Sequence, residues 1–576
     1  MVPEESPSSE NTLASEGSRT GMQYWGPAIV VSLAMFIVAI NSALMNVAIP
    51  AIVEEFDTTV PVIQGAISFY SLMIAALILP GGALPSRYGI RRVMTVTLLV
   101  YTVGTLLAAL SWNIVTLYIG WSLTMGAAAA VLLPLTYTVI MFSYERDTQA
   151  KALGLLAGVS ATGAAAGPIL GGALTTYVSW RWGFALQLII VGIALFFVQY
   201  VSPGRLTETH RSLDVGGSVL SIVGAATFVT GLLLSGKYGW LLARRPFFVG
   251  GVQFNPFGTS PAIWFLGGGL LTLAAFAQYE RRIERAGRLP LVPLHVLTNG
   301  RFISGVATYT IRSVVMAGFM FVIPVYLQAT LGHTAFEAGL AMLPYSLATL
   351  LVATFTTGWR AYLTPKTLIQ VGIVLMGLGL VLLYEQTSPE QTIRGMVVPM
   401  AFVGIGLGLM MGQIVNMTLS AVPTANAAEA SGVLNSSSSM GFALGTAAVG
   451  SYLLGQFYGG VVDGVLRVEH VAVSAEQRRE LVLALEDAAE TATEATRQDF
   501  LNRLTPAERQ LLEGIFEAAM VDAQQSALLF LALLVLLLLI TSTFLPRQIS
   551  EADDGTEHPE SPQGPTSDTS ETAVED

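Results

Sequence analysis

The chain has 576 residues, 53% of them hydrophobic and only 12% charged. No soluble domain of this length is so apolar, and the composition places the chain among polytopic membrane proteins. The formal charge of −11 carries no message about nucleic acid, because nine of the acidic residues sit between Glu551 and Asp576, where there is no Lys or Arg. The absence of cysteine excludes disulfides and thiolate metal sites, and the five histidines fall in no ligand spacing. Neither a metal nor another cofactor is expected.

In chain order, residues 1–22 are polar and Ser/Glu-rich, without the basic start and short apolar core of a signal peptide, and read as a disordered tail. Apolar stretches then recur at 27–50, 61–84, 93–112, 114–142, 152–178, 183–201, 215–235, 261–279, 302–331, 338–357, 367–384, 396–422, 430–458 and 524–545. At ~1.5 Å per residue each is close to or beyond the ~30 Å of a hydrocarbon core. The sequence therefore predicts an all-α polytopic membrane protein with fourteen spanning helices. With the N-terminus inside, the inner loops hold fourteen basic residues, among them Arg87, Arg91, Arg92, Arg146 and Lys366. Short outer loops hold five: Arg181, Lys237, Arg244, Arg245 and Arg394. Positive charge is retained on the cytoplasmic side, so both termini are expected in the cytoplasm and the protein in the cell (inner) membrane.

Three segments depart from this alternation. Residues 236–260 form an aromatic outer loop punctuated by Gly and Pro, expected as a folded cap rather than a hairpin. Residues 459–523 carry two helix starts: Ser474 followed by Gln477, and Thr505-Pro506-Ala507-Glu508 with N-cap, Pro at the first position and Glu at the third. The second helix is expected to run into the last span. Residues 548–576 are acidic and Pro/Ser-rich, and read as a disordered cytoplasmic tail.

Within 152–178 stands Gly163-Ala-Ala-Ala-Gly167-Pro168-Ile-Leu-Gly171-Gly172. Gly163, Gly167 and Gly171 share one helix face, a stripe on which a second backbone can approach closely, and Pro168 removes a donor at that contact. Further marks accompany it: Asn41-Ser-Ala-Leu-Met-Asn46-Val-Ala-Ile-Pro50, Gly82-Ala-Leu84-Pro-Ser86-Arg87-Tyr-Gly89-Ile-Arg91-Arg92, Trp180-Arg181-Trp182-Gly-Phe184, and Ala338-Gly339-Leu340-Ala341-Met342-Leu343-Pro344. Together these resemble the fourteen-helix drug:proton antiporters of the major facilitator superfamily. The resemblance implies a major facilitator fold of two six-helix bundles, at 23–205 and 286–547, with two extra transmembrane helices at 206–285. It also implies a transporter rather than an enzyme, exporting lipophilic or amphiphilic compounds by alternating access. Gly82, Ser86, Arg87, Gly89, Arg91 and Arg92 would then form an inner latch, and Gly163, Gly167, Pro168, Gly171 and Gly172 a packing and gating element.

The departures from that family all remove charge. Its first-helix Asp is Asn41 here, its latch Asp is Ser86, and its fourth-helix R-x-x-Q-G is Ser122-Leu-Thr-Met125-Gly126. No Asp, Glu, His or Lys lies within the fourteen stretches, with Glu337 and Glu429 just outside them, and the single ionisable cation is Arg312. Placing a guanidinium near mid-membrane costs at least about 2.5–3.5 kcal/mol, so Arg312 is expected either to snorkel or to face a cavity as a partner for an anionic head group. Candidate cavity residues are Asn41, Tyr70, Tyr309, Arg312, Gln328, Met410, Gln413, Asn416 and Asn435, each also suited to a plain interhelical contact. The expected partner is a lipophilic small molecule or a lipid within the membrane, not nucleic acid. Two other readings remain open: an exporter of lipids or anionic amphiphiles with weak or no proton coupling, and a transport-inactive scaffold or receptor.

Overall fold

A computed structural model describes residues 21–546 apart from 145, 202–213, 250–251, 289, 293, 360–362, 424–426, 492–499 and 501. Both expected tails, save Gly21 and Met22, lie outside the described residues. The first bundle is built from α1 (Met22–Glu55), α2 (Val60–Tyr88), α3 (Ile90–Ala109), α4 (Ile114–Leu117, continued by Tyr118–Met125 and Gly126–Ser143), α5 (Arg146–Tyr177) and α6 (Arg181–Phe197). An added pair follows, α7 (Val215–Tyr238) and α8 (Pro261–Arg285). The second bundle contains α9 (Gly300–Ala329), α10 (Ala335–Ala341 and Leu343–Trp359), α11 (Pro365–Gln386), α12 (Ile393–Met410 and Gln413–Leu419), α13 (Ala427–Val468) and α15 (Pro506–Ser542), with α14 (Ala475–Thr491) between the last two. Every one of the fourteen predicted stretches is helical. Among the described residues, eleven helices are long and apolar enough to cross a membrane, or twelve counting the bent α10 as one span.

Length is where the helices depart from the sequence reading. The stretch 338–357 is not one straight helix but bends by 41° at Met342. The stretch 396–422 breaks at Gly412, whose φ of +80° takes the backbone out of the helix at a position where a side chain would be strained. In α4, residues Tyr118–Met125 take the wide π turn, where Thr124 Oγ1 donates to the Ile119 carbonyl five residues back at 2.7 Å.

Each bundle has its own apolar core, one around Tyr101, Trp121 and Phe184, the other around Phe319, Tyr345 and Leu531. Lipid tails are as apolar as these side chains, so the cores cohere by close packing rather than by exclusion from water. The bundles meet along two seams, α5 against α10 and α2 against α13. Helix α7 lies over the second seam, touching both α2 and α13, so the added pair is packed outside the twelve. Glu280, near the end of α8, is buried and accepts the Leu291 N–H at 2.7 Å. It thereby pins the connection that leads into α9.

The loop between α7 and α8 contains a small antiparallel hairpin, β1 (Phe248–Val249) and β2 (Val252–Gln253), closed below by a bridge between Leu242 and Thr259. The expectation of a cap rather than a hairpin is thus corrected: the β-prone Phe248-Val249 and Val252-Gln253 pair as strands despite the Pro and aromatic content around them. Both predicted capping boxes form, Ser474 with Gln477 and Thr505 with Glu508, and α15 runs unbroken from Pro506 into the last span. Arg245 of the loop is buried and pairs with Glu486, at 2.9 Å, and with Asp487 of α14. Helix α14 is therefore held from the side by a loop far away in sequence. Replacing Arg245 with Ala leaves the mostly buried Glu486 carboxylate without its partner and Asp487 facing water, and amide hydrogen exchange over 475–491 should accelerate at least about tenfold with the spanning helices unaffected. Unchanged exchange would show that the helix is held by its apolar face alone.

Candidate functional site

The glycines of α5 serve two neighbours, and the split decides what the motif does. A Cβ on Gly163 would stand 2.9 Å from the Phe36 carbonyl oxygen, and one on Gly171 3.1 Å from Leu44 Cα, both on α1. Gly172 points away from α1 towards the other bundle, where a Cβ would stand 2.8 Å from Phe336 Cα of α10. The contact is reciprocal: a Cβ on Gly339 of α10 would stand 2.8 Å from the Pro168 carbonyl carbon. Helices α5 and α10 therefore touch backbone to backbone, at a spacing no larger residue permits. Around this contact Phe336 N–H donates to Thr176 Oγ1 at 3.1 Å, and the Tyr177 and Phe336 rings meet edge-on at 5.4 Å. Gly167 is buried beside Pro168 in the same helix. The bundles are thus closed on each other at the end of the molecule that bears Thr334.

Arg312 lies deep in α9, half-buried, with its guanidinium 4.5 Å from the centre of the Tyr309 ring. A cation over an aromatic face recovers part of its lost hydration, about 0.5–2 kcal/mol. Its Nη2 donates a long bond, 3.4 Å, to Ser313 Oγ, which in turn lies 2.8 Å from Ser438 Oγ of α13. Buried Nε has no hydrogen-bond partner, and no carboxylate pairs with Arg312 among the described residues. Two phenols lie within its electrostatic reach, Tyr137 of α4 and Tyr345 of α10. The contacts of the cation itself come from α9 and, through Ser313, from α13. Neither tyrosine is distinguishable in sequence from the other aromatics of the apolar stretches, since only the tertiary arrangement brings them to Arg312.

The remaining candidates divide. Asn41 is fully buried inside the first bundle, where its Oδ1 accepts from Trp121 Nε1 at 3.0 Å and Gln187 Nε2 at 3.5 Å. Gln187 Oε1 accepts from Tyr101 at 2.9 Å, and the Tyr70 ring stacks on Trp121 at 5.2 Å. Asn41 and Tyr70 are thus parts of a packed polar cluster joining α1, α2, α3, α4 and α6, and present no polar surface to solvent in this conformation. Met410 is fully buried in the second core and Gln413 nearly so, whereas Asn416 is exposed. Asn435 donates to Ser431 O at 2.9 Å, and Gln328 donates to Pro324 O at 3.4 Å, each within its own helix. Only Tyr309 among the other candidates touches Arg312. In the expected latch, Gly82 packs near Pro134, Gly89 takes φ +83° to turn α2 into α3, and Arg87, Arg91 and Arg92 are exposed. None of the three arginines makes an ion pair among the described residues, and the Ser86 side chain lies outside those described.

Two packed bundles meeting on a glycine-lined α5–α10 seam are an arrangement that lets two halves part and rejoin. Residues 31–446 match the Major Facilitator Superfamily. The chain belongs to that superfamily and is a membrane transporter, not an enzyme. It is 27% identical to the cephamycin export protein CmcT of Amycolatopsis lactamdurans over 73% of this chain and 83% of the relative. It is 25% identical to the multidrug resistance protein Stp of Mycobacterium tuberculosis over 88% of this chain and 90% of the relative. Among solved structures, a bacterial homologue of the lysosomal transporter Spinster, inward-facing and unoccupied, superposes with a TM-score of 0.55 at 14% identity, covering 92% of this chain and 98% of that one. That likeness speaks for the fold.

Because the chain has no native cysteine, the α5–α10 contact can be tested directly. Cysteines replacing Thr176 and Phe336 should crosslink under mild oxidation, reduce transport more than tenfold, and release it on reduction. Full transport by the crosslinked protein would mean that this seam stays closed throughout the cycle.

Proposed function

We propose that the protein exports neutral and anionic lipophilic compounds from the cytoplasmic leaflet or cytoplasm, with the Arg87 end inside and the Thr334 end outside. The excess of Arg and Lys in the loops of the Arg87 end supports that orientation. The relatives' roles in cephamycin export and multidrug resistance support the substrate class. The observation that carries the reading is Arg312: a half-buried cation held by the Tyr309 ring and the Ser313 hydroxyl rather than by acid. A cationic drug entering there meets its own sign, whereas an anionic head group supplies the missing partner to the guanidinium. Arg312→Gln should weaken binding of an anionic amphiphile at least about tenfold, the size of one charge-assisted hydrogen bond. A matched neutral compound should bind within about twofold of the unaltered protein. Equal loss for both would remove the electrostatic role.

Proton coupling is absent or weak in this reading. A carboxylate on α1 can alternate between charged and neutral as access alternates, which lets a proton gradient do work. Asn41 has no second protonation state, and here its carbonyl oxygen accepts from Trp121 and Gln187. Flux into liposomes should follow the substrate's own gradient and change little when ΔpH is collapsed. Asn41→Asp, by placing a titratable group in that cluster, should introduce a pH dependence that the natural protein lacks. Stoichiometric proton movement by the natural protein would return it to the antiporter mechanism its family resemblance implies.

A further inference from the structure

Beyond the membrane-spanning bundles, the extended ends of α13 and α15 and the flank of α14 enclose a cleft of about 880 Å³. This is within the size of sites that hold small molecules. Five glycines face it, Gly455, Gly459, Gly460 and Gly464 from α13 and Gly514 from α15. Gly455 and Gly514 differ from the seam glycines, because a Cβ on either would meet nothing within 4 Å. Glycine in a helix costs about 0.5–1 kcal/mol relative to alanine, and here no close backbone contact requires it. What these glycines gain is room in the cleft. Val482, Leu483, Leu511 and Ile515 supply apolar wall.

Charge is distributed unevenly. Arg478 is engaged, donating from Nε and Nη2 to both oxygens of Asp463 at 2.6 and 2.8 Å. These bonds hold the Asp463 carboxyl below its ordinary range, so the pair stays ionised at neutral pH. Glu486 is engaged by Arg245 from behind. Arg244, Arg467 and Arg479 also line the cleft and make no carboxylate ion pair among the described residues: Arg467 adds only a through-space attraction to Asp463, and Arg479 donates to the Ala243 carbonyl at 3.4 Å, against Asp522 as the further acid. From Gly455 to Arg467 the wall runs roughly 18 Å along α13, the length of an extended acyl chain. We propose that this cleft binds a single-chain amphiphile with a carboxylate head, its chain along the glycine-lined wall and its head group among Arg244, Arg467 and Arg479. The site is separate from Arg312 and does not depend on the reading of the central cavity.

The test uses the full-length protein in nanodiscs of neutral lipid, titrated with a fluorescent long-chain fatty acid and with the matching fatty alcohol. The acid should bind more tightly than the alcohol. Replacing Arg467 and Arg479 together with Gln should weaken the acid about tenfold or more and the alcohol less than about twofold. Gly455→Leu with Gly514→Leu fills the cleft with better helix formers and should abolish binding of both ligands with helical content intact. Arg312→Gln should leave this binding unchanged even if it disables transport. Binding that survives the two leucines, or that shows no preference for the acid, or that disappears with Arg312→Gln, would overturn the assignment.

Discussion

The architecture depends on two backbones being able to touch. At Gly172 and Gly339 the helices of opposite bundles approach until a single methyl group on either would collide with main chain. Inside a bilayer no hydrophobic force drives two apolar helices together, so the depth of contact governs how strongly they associate. Close approach of bare helix faces gives many weak dispersion contacts and a flat surface without interlocked side chains. Such a surface can part and rejoin. Interdigitated Leu or Phe would have to be withdrawn from a neighbour's pocket at each opening. The same helix that closes against α10 is tied to α1 by Gly163 and Gly171, so α5 moves as part of its own bundle.

Charge is placed with equal economy. The ionic contacts described sit at the ends of helices or beyond them: Arg181 with Glu55, Arg478 with Asp463, and Arg245 with Glu486 and Asp487. Within the bundles, polar side chains bond among themselves, as Asn41, Gln187, Trp121 and Tyr101 do. A neutral cluster of this kind keeps its hydrogen bonds at every pH, which suits a structural joint and gives a proton gradient no purchase. Arg312 is the exception, and its surroundings of phenols and hydroxyls soften its desolvation without neutralising it.

Much of this was legible in the sequence, for reasons that can be stated residue by residue. Spanning helices are dictated by the need to satisfy every backbone group internally, so their apolar length announces them. The caps at Ser474 and Thr505 are local, four-residue devices, and both form. The breaks at Met342 and Gly412 were not legible, because a glycine in lipid serves as often for packing as for a bend, and only the backbone angles separate the two. The glycine stripe signalled close packing but not its partners: spacing gave the face toward α1, whereas Gly172 turned out to face the other bundle. Asn41 and Tyr70 were chosen as cavity residues because polarity in an apolar stretch is conspicuous. Burial then assigned them to the interior of one bundle. Tyr137 and Tyr345 illustrate the converse: they are inconspicuous in sequence, and only the fold brings them within electrostatic range of Arg312.

The central claim is that the α5–α10 contact is the joint that opens and closes the Thr334 end. Spin labels on cysteines replacing exposed Val178 and Leu340, in a chain otherwise free of cysteine, report the separation of the two helix ends by pulsed electron resonance. The account predicts two populations, a short distance matching this structure and a longer one. Gly172→Leu should shift the balance to the longer distance by denying the helices their contact. A single short distance in both proteins, under conditions where the natural protein transports, would contradict it.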